Sequence, residues 1–203
     1  MYLSKLTLNP RHPLARRDLG NPYEMHGTLS WMFEDPKAAR VLWRLESERP
    51  PVVLVQSLVR PDSSRVEARD GFTGYFAQLP ETKPYELVQH LREGQILRFC
   101  LEANPTVTRG GRRHGLRRVE DQLWWLHRQA EKAGVFLLGA TVSRTERRSF
   151  RKRGQEQGIV LWTARFDGIL QVRDPQRLCA AIQQGIGHGK ALGLGLLSVA
   201  PIR

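Results

Sequence analysis

Cysteine, lysine and acidic residues are all scarce in this 203-residue chain, and each scarcity excludes something. The two cysteines, Cys100 and Cys179, stand alone in apolar-patterned segments. A disulfide framework is thereby excluded, and buried free thiols in a reducing compartment are expected. The six histidines are scattered, and no His, Cys, Asp or Glu set has the spacing of metal ligands, so neither a metal nor another cofactor is expected. Long hydrophobic runs are missing too. The longest uncharged stretch near the end, residues 191–202, is shorter than the ~20 residues a membrane helix needs. No basic, then apolar, then small-residue leader opens the chain, so a soluble cytoplasmic protein without membrane attachment is expected.

Positive charge is abundant instead. Lys plus Arg number 32 against 20 Asp plus Glu, a formal net charge of +12, which favours polyanionic partners. Of the basic residues 26 are Arg and 6 are Lys. A codon-biased or heat-adapted genome would write such a sequence, and so would selection for the planar guanidinium fork that recognises phosphates and bases. Composition alone does not separate the two.

The order of patterned segments is more specific. A strand-like start with Leu6 and Leu8 alternating with polar neighbours stops at Asn9-Pro10, and a second strand over 96–103 stops at Asn104-Pro105. Between them the pattern predicts a helix over 21–33, strands over 41–46 and 52–58, a short aromatic strand over 72–78 and a helix over 85–92. After the boundary at Glu93-Gly94 come a basic loop over 106–118, a helix over 119–132 closed by Gly134, and a strand over 135–142. A basic segment over 144–154 and strands over 159–166 and 169–172 follow, with Asp167-Gly168 read as a two-residue hairpin turn. Asp174-Pro175 opens a last helix, and a strand over 194–200 ends the series. Strand, helix, strand, strand, helix, strand, written twice, predicts an α+β protein of two tandem ferredoxin-like domains, residues 1–93 and 94–203.

The first of these helices carries candidate chemistry. Asn21 caps it, Pro22 takes its first position, and Glu24 suits the first turn. Met25, Leu29, Met32 and Phe33 form the apolar stripe, while Tyr23 and His26, three residues apart, share another sector with Ser30. A histidine exchanges protons near neutral pH, and the helix N-terminus beside it favours a phosphate. An ordinary surface or core histidine is the competing reading.

The glycine-rich stretch over 185–195 fails both common nucleotide-binding patterns. Gln184 and Ala191 stand where a Walker loop ending at Gly189-Lys190 needs Gly and Ser or Thr, and Leu192 stands where a dinucleotide fingerprint begun at Gly187 needs Gly. A tight turn remains, packed on the sheet or presenting Gly187, Gly189 and Lys190 to a nucleic-acid backbone. Two arginine runs are further candidates for RNA binding. One contains Arg112 and Arg113; the other contains Arg144, Arg147, Arg148, Arg151, Lys152 and Arg153 and suits the arm of a hairpin entering a nucleic-acid groove. Such runs otherwise form solvated surface.

Together the start over 3–10, Asn21-Pro22-Tyr23-Glu24-Met25-His26, the stretch over 97–105 and the glycine-rich end over 185–201 resemble the CasE family. This is the CRISPR repeat-processing endoribonuclease subunit of the type I-E Cascade complex. The resemblance implies two ferredoxin-like domains, the repeat hairpin of precursor CRISPR RNA and other Cascade subunits as partners, and one metal-independent cut at the 3′ base of that hairpin, which then stays bound. It places the reactive residues at His26 and Tyr23 and a basic hairpin of the second domain, matching 147–153, in the RNA major groove. Gly27 and Trp31 stand where close relatives carry basic residues, and His188 where Pro is common, which leaves open the residue that stabilises the transition state; Lys190 or a loop arginine are candidates. The implied chemistry is attack of a ribose 2′-OH on its own 3′-phosphate, giving a 2′,3′-cyclic phosphate and a 5′-OH. The alternative is a non-catalytic RNA-hairpin-binding subunit.

Overall fold

Residues 1–150 and 158–202 are described by the computed structural model of the chain. Arg151, Lys152 and Arg153 lie outside the described residues. The rest falls into two compact units, 1–86 with 190–193 and 87–189 with 194–203. The expected boundary at Glu93-Gly94 falls inside the second unit.

The first unit begins with β1 (Tyr2–Thr7), then α1 (Pro13–Gly20), α2 (Pro22–Ser30) and α3 (Pro36–Ala39). β2 (Leu42–Glu48), β3 (Pro51–Ser57), the single turn α4 (Ser64–Glu67) and β4 (Glu81–Pro84) complete it. The strands pair in the order β2-β3-β1-β4, all antiparallel. That is the 4-1-3-2 order of a ferredoxin-like sheet, with its second helix reduced to α4. Leu6, Val53, Val55, Met25, Leu29 and Tyr75 are buried in its core.

In the second unit, β5 (Ile96–Ala103) leads through a ribbon, β6 (Thr106–Arg109) and β7 (Arg112–Gly115), to α5 (Val119–Lys132). The long strands β8 (Val135–Phe150) and β9 (Ile159–Val172), then α6 (Pro175–Gln184) and β10 (Leu197–Pro201), finish it. Its sheet runs β10-β5-β9-β8, again antiparallel and again 4-1-3-2. Trp125 of α5 stacks on Phe166 of β9, ring centroids 6.0 Å apart, and Leu178 and Ile182 seat α6. Asp174 caps α6 by accepting from the N–H groups of Gln176 and Arg177, both at 3.0 Å, with Pro175 in its first turn.

Several expected elements differ, each for a physical reason. Asp167-Gly168 is not a turn, because both residues lie inside the continuous strand β9. A Cβ on Gly168 would run into the Gly139 carbonyl and the Phe99 ring, so that glycine permits the close approach of neighbouring strands. The two-residue turn instead lies within the expected basic loop: Gly110 and Gly111, with φ of 54° and 72°, join β6 to β7. The expected aromatic strand over 72–78 is a turn containing only a single bridge, Leu8 to Phe76. It drives Phe72, Tyr75 and Phe76 into the core, and the polar, proline-containing segment Glu81–Pro84 takes the sheet edge. The expected helix over 21–33 ends at Ser30, and the one over 85–92 is a short 3-10 turn, Glu86–His90.

Candidate active site and nucleic-acid interface

Asn21 sets the geometry of α2. It ends α1, and its side-chain oxygen accepts from the Tyr23 N–H at 3.1 Å, so α2 starts with an intact cap and Pro22 where no donor is lost. Met25, Thr28 and Leu29 point into the core, whereas Tyr23, His26 and Ser30 are half-buried on another sector. The Nδ1 atom of His26 is buried without a hydrogen-bond partner among the described residues. Burial holds the imidazole below its ordinary pKa of 6.5, since charging the ring would cost solvation. The free protein therefore presents a neutral ring at neutral pH.

Two groups of contacts hold that helix. Behind it Asp18, 1% exposed, accepts from Arg17 at 2.7 Å and from the Tyr75 hydroxyl at 2.8 Å. Arg17 also reaches Glu24 at 3.6 Å and donates to the Thr28 hydroxyl at 3.4 Å, tying α1 to α2. Burial, then the Asp18 charge, push the Tyr75 hydroxyl far up in pKa, so it stays protonated and donates. In addition the turn Lys190–Leu192 packs against α2 and β2, although it lies far downstream in the chain. Gly193, φ 77°, fixes that turn: a Cβ there would stand 2.8 Å from ring carbons of Trp43. At the C-terminal end of α2, the Arg69 guanidinium lies over the Trp31 ring at 4.0 Å.

In the second unit the basic residues fall into two sets. Arg112 and Arg113 are exposed on β7. The ribbon lies close to β9, where a Cβ on Gly115 would be 3.2 Å from the Trp162 side chain, and Arg117 stacks over that ring at 5.1 Å. On β8, Arg144 and Arg148 are committed to buried Glu102 of β5, 2% exposed. Arg144 Nη2 donates to it at 3.2 Å and Arg148 Nη2 donates to the same oxygen. Glu146 pairs with both arginines, at 3.4 and 3.1 Å. Arg147 is exposed and makes no ion pair among the described residues. Gly187 and Gly189 have φ of 80° and 85°, and a Cβ on Gly187 would meet the Trp125 ring at 3.2 Å. No cluster of three His, Cys, Asp or Glu side chains converges for a metal among the described residues.

A family model described as CRISPR associated protein matches residues 1–201. The CRISPR-associated endoribonuclease Cse3 of Thermus thermophilus is 43% identical over 222 residues, covering 99% of this chain and all of that protein. The CRISPR system Cascade subunit CasE of Escherichia coli K12 is 31% identical over 220 residues, covering all of both. The chain belongs to the CasE family of CRISPR-associated proteins. Solved structures of the family superpose well on this CasE-family chain. Cse3 bound to a 19-nucleotide RNA gives a TM-score of 0.88 at 42% identity, covering 99% of this chain and 100% of that one. T. thermophilus Cse3 bound to an RNA representing a pre-cleavage complex gives 0.85 at 40% identity, covering 98% of each.

Against the sequence expectations, the CasE-family fold brings the Lys190 turn to the helix of His26 and Tyr23 within one unit. Arg144, Arg147 and Arg148 lie on one strand of a long hairpin in the other unit, with Arg112 and Arg113 on a separate ribbon. Sequence reasoning missed the Arg17, Asp18 and Tyr75 cluster, because a lone Asp in a polar helix and a Tyr beyond two glycines show no periodicity. It also missed Glu102, whose position in an apolar strand was the available signal: a carboxylate there needs a partner.

Proposed function

We propose that this CasE-family chain is an endoribonuclease that binds the repeat hairpin of precursor CRISPR RNA and cuts it once at its 3′ base without a metal. The first unit carries the chemistry and the second grips the hairpin, which stays bound while the protein serves as a cytoplasmic Cascade subunit. The observation that carries the reading is His26: a neutral, half-buried imidazole with an unpartnered nitrogen, on a capped helix packed against the Lys190 turn. The full-length similarity to a named endoribonuclease supports it.

In this reading His26 accepts the proton from a ribose 2′-OH, and the 2′-oxygen attacks its own 3′-phosphorus. The bond from phosphorus to the 5′-oxygen breaks as that oxygen takes a proton from solvent, leaving a 2′,3′-cyclic phosphate and a 5′-OH. Tyr23 orients the phosphate, and Lys190 offsets the charge that grows on it. Arg112, Arg113, Arg144, Arg147 and Arg148, together with Arg151, Lys152 and Arg153, hold the hairpin by its phosphates, and the backbone at Gly187 and Gly189 approaches the strand.

The test is a single-turnover assay on a repeat hairpin in excess chelator. The wild-type protein cuts, a 2′-deoxy substitution at the scissile nucleotide blocks cutting but not binding, and His26→Ala slows the reaction by about 10²–10⁴-fold. A hairpin bound but left intact by the wild-type protein would establish the non-catalytic RNA-binding subunit instead.

A further inference from the structure

A second surface of the second unit is suited to RNA and is separate from the arginines assigned to the hairpin. At α5 and the start of β8, a groove of about 450 Å³ is lined by Trp124, Arg128, Phe136 and Arg173 among others. Trp124 is 54% exposed and Phe136 53%, both unusually open for their size. Each ring carries a guanidinium: Arg128 lies 4.8 Å from the Trp124 centroid and Arg173 lies 5.5 Å from that of Phe136. Two other charged residues of the lining are held in place by backbone hydrogen bonds. Arg177 donates to the last carbonyls of α5, on Glu131 and Lys132, and Asp174 caps α6. Among the described lining residues three arginines, Arg128, Arg173 and Arg177, stand against two carboxylates, Glu131 and Asp174, so the groove is net positive.

We propose that this groove is a stacking site for unpaired RNA nucleotides that flank the hairpin. Open aromatic faces bind bases by stacking, and the adjoining guanidinium edges supply donors for the phosphates between them. The bases of a duplex are already stacked on one another, so only unpaired nucleotides can use the rings. A repeat hairpin set in a longer precursor strand has such nucleotides beside it. The inference rests on the proposed RNA-processing function for the identity of the strand, but not on the cleavage chemistry.

The test compares affinities of the full-length protein for the bare repeat hairpin and for the same hairpin with a ten-nucleotide unpaired flank. Wild-type protein is expected to bind the flanked RNA about tenfold more tightly. Trp124→Ala combined with Phe136→Ala abolishes that preference and leaves the affinity and cleavage rate for the bare hairpin unchanged. Arg128→Gln combined with Arg173→Gln, which keeps both rings, reduces the preference and its salt dependence. Equal wild-type binding of the two RNAs, or a preference that survives loss of both rings, overturns the proposal. So does a ring variant that keeps the preference but no longer joins other Cascade subunits, because the groove then takes a protein. A wild-type protein that prefers the flanked RNA yet leaves the hairpin uncut upholds this site while overturning the endoribonuclease reading.

Discussion

At the scale of single residues, His26 combines a role and a cost. Its folded-state pKa lies below 6.5 through burial, so the unfolded chain takes up a proton first as the pH falls. This side chain therefore lowers the stability of the fold progressively below about pH 6.5, the ordinary value, and has no such effect above it. An NMR titration of the free protein should place the His26 midpoint below 6.5, and a bound, uncleavable 2′-deoxy hairpin should move it upward, because phosphates favour the charged ring. A midpoint indifferent to RNA would remove His26 from the phosphate's vicinity. Tyr75 is the complementary case, a buried hydroxyl spent on one carboxylate. Tyr75→Phe removes a bond to a charged acceptor and should cost about 1.5–3 kcal/mol in urea unfolding. A loss near zero would mean that water or Arg17 satisfies Asp18 alone.

Among the elements, the hairpin of β8 and β9 shows how one strand sorts like charges. Alternation along β8 sets Arg144, Glu146 and Arg148 on one face, where Glu102 and Glu146 occupy the two arginines, and leaves Arg147 on the other. An arginine already paired with carboxylates has less to give a phosphate. Arg147→Ala should therefore weaken hairpin binding and lower the slope of log affinity against log salt by about one. Arg148→Ala should change the slope less, while destabilising the unit by leaving buried Glu102 short of a partner. Equal slopes for the two variants would show that RNA draws Arg148 away from Glu102. The helices were the most legible elements. Residues 119–132 are helical as patterned, and the caps at Asn21 and Asp174 form as their residue types predict. Turns were less legible, since Asp-Gly and Gly-Gly dipeptides permit both a hairpin and a close strand approach, and only the neighbouring strand decides between them.

Over the whole molecule, the two breakers Asn9-Pro10 and Asn104-Pro105 do mark equivalent places, just beyond the first strand of each 4-1-3-2 sheet. The net charge of +12 reads differently once the pairs are known. Arg17, Arg44, Arg65, Arg144, Arg148 and Arg165 all have carboxylate partners, so these six have less to give a polyanion than exposed arginines such as Arg112, Arg113 and Arg147. The capped start of α2, the helix over 119–132, the scarcity of metal-ligand spacing and the three-residue spacing of Tyr23 and His26 were properties of the sequence, because each depends on residues within a few positions of one another. The meeting of the Lys190 turn with α2, the placement of Glu102 beneath two arginines and the presence of Trp124 and Phe136 in one groove were decided by tertiary structure alone. Those contacts join residues remote in the chain, and sheet register and helix packing, which no local pattern encodes, determine whether they form.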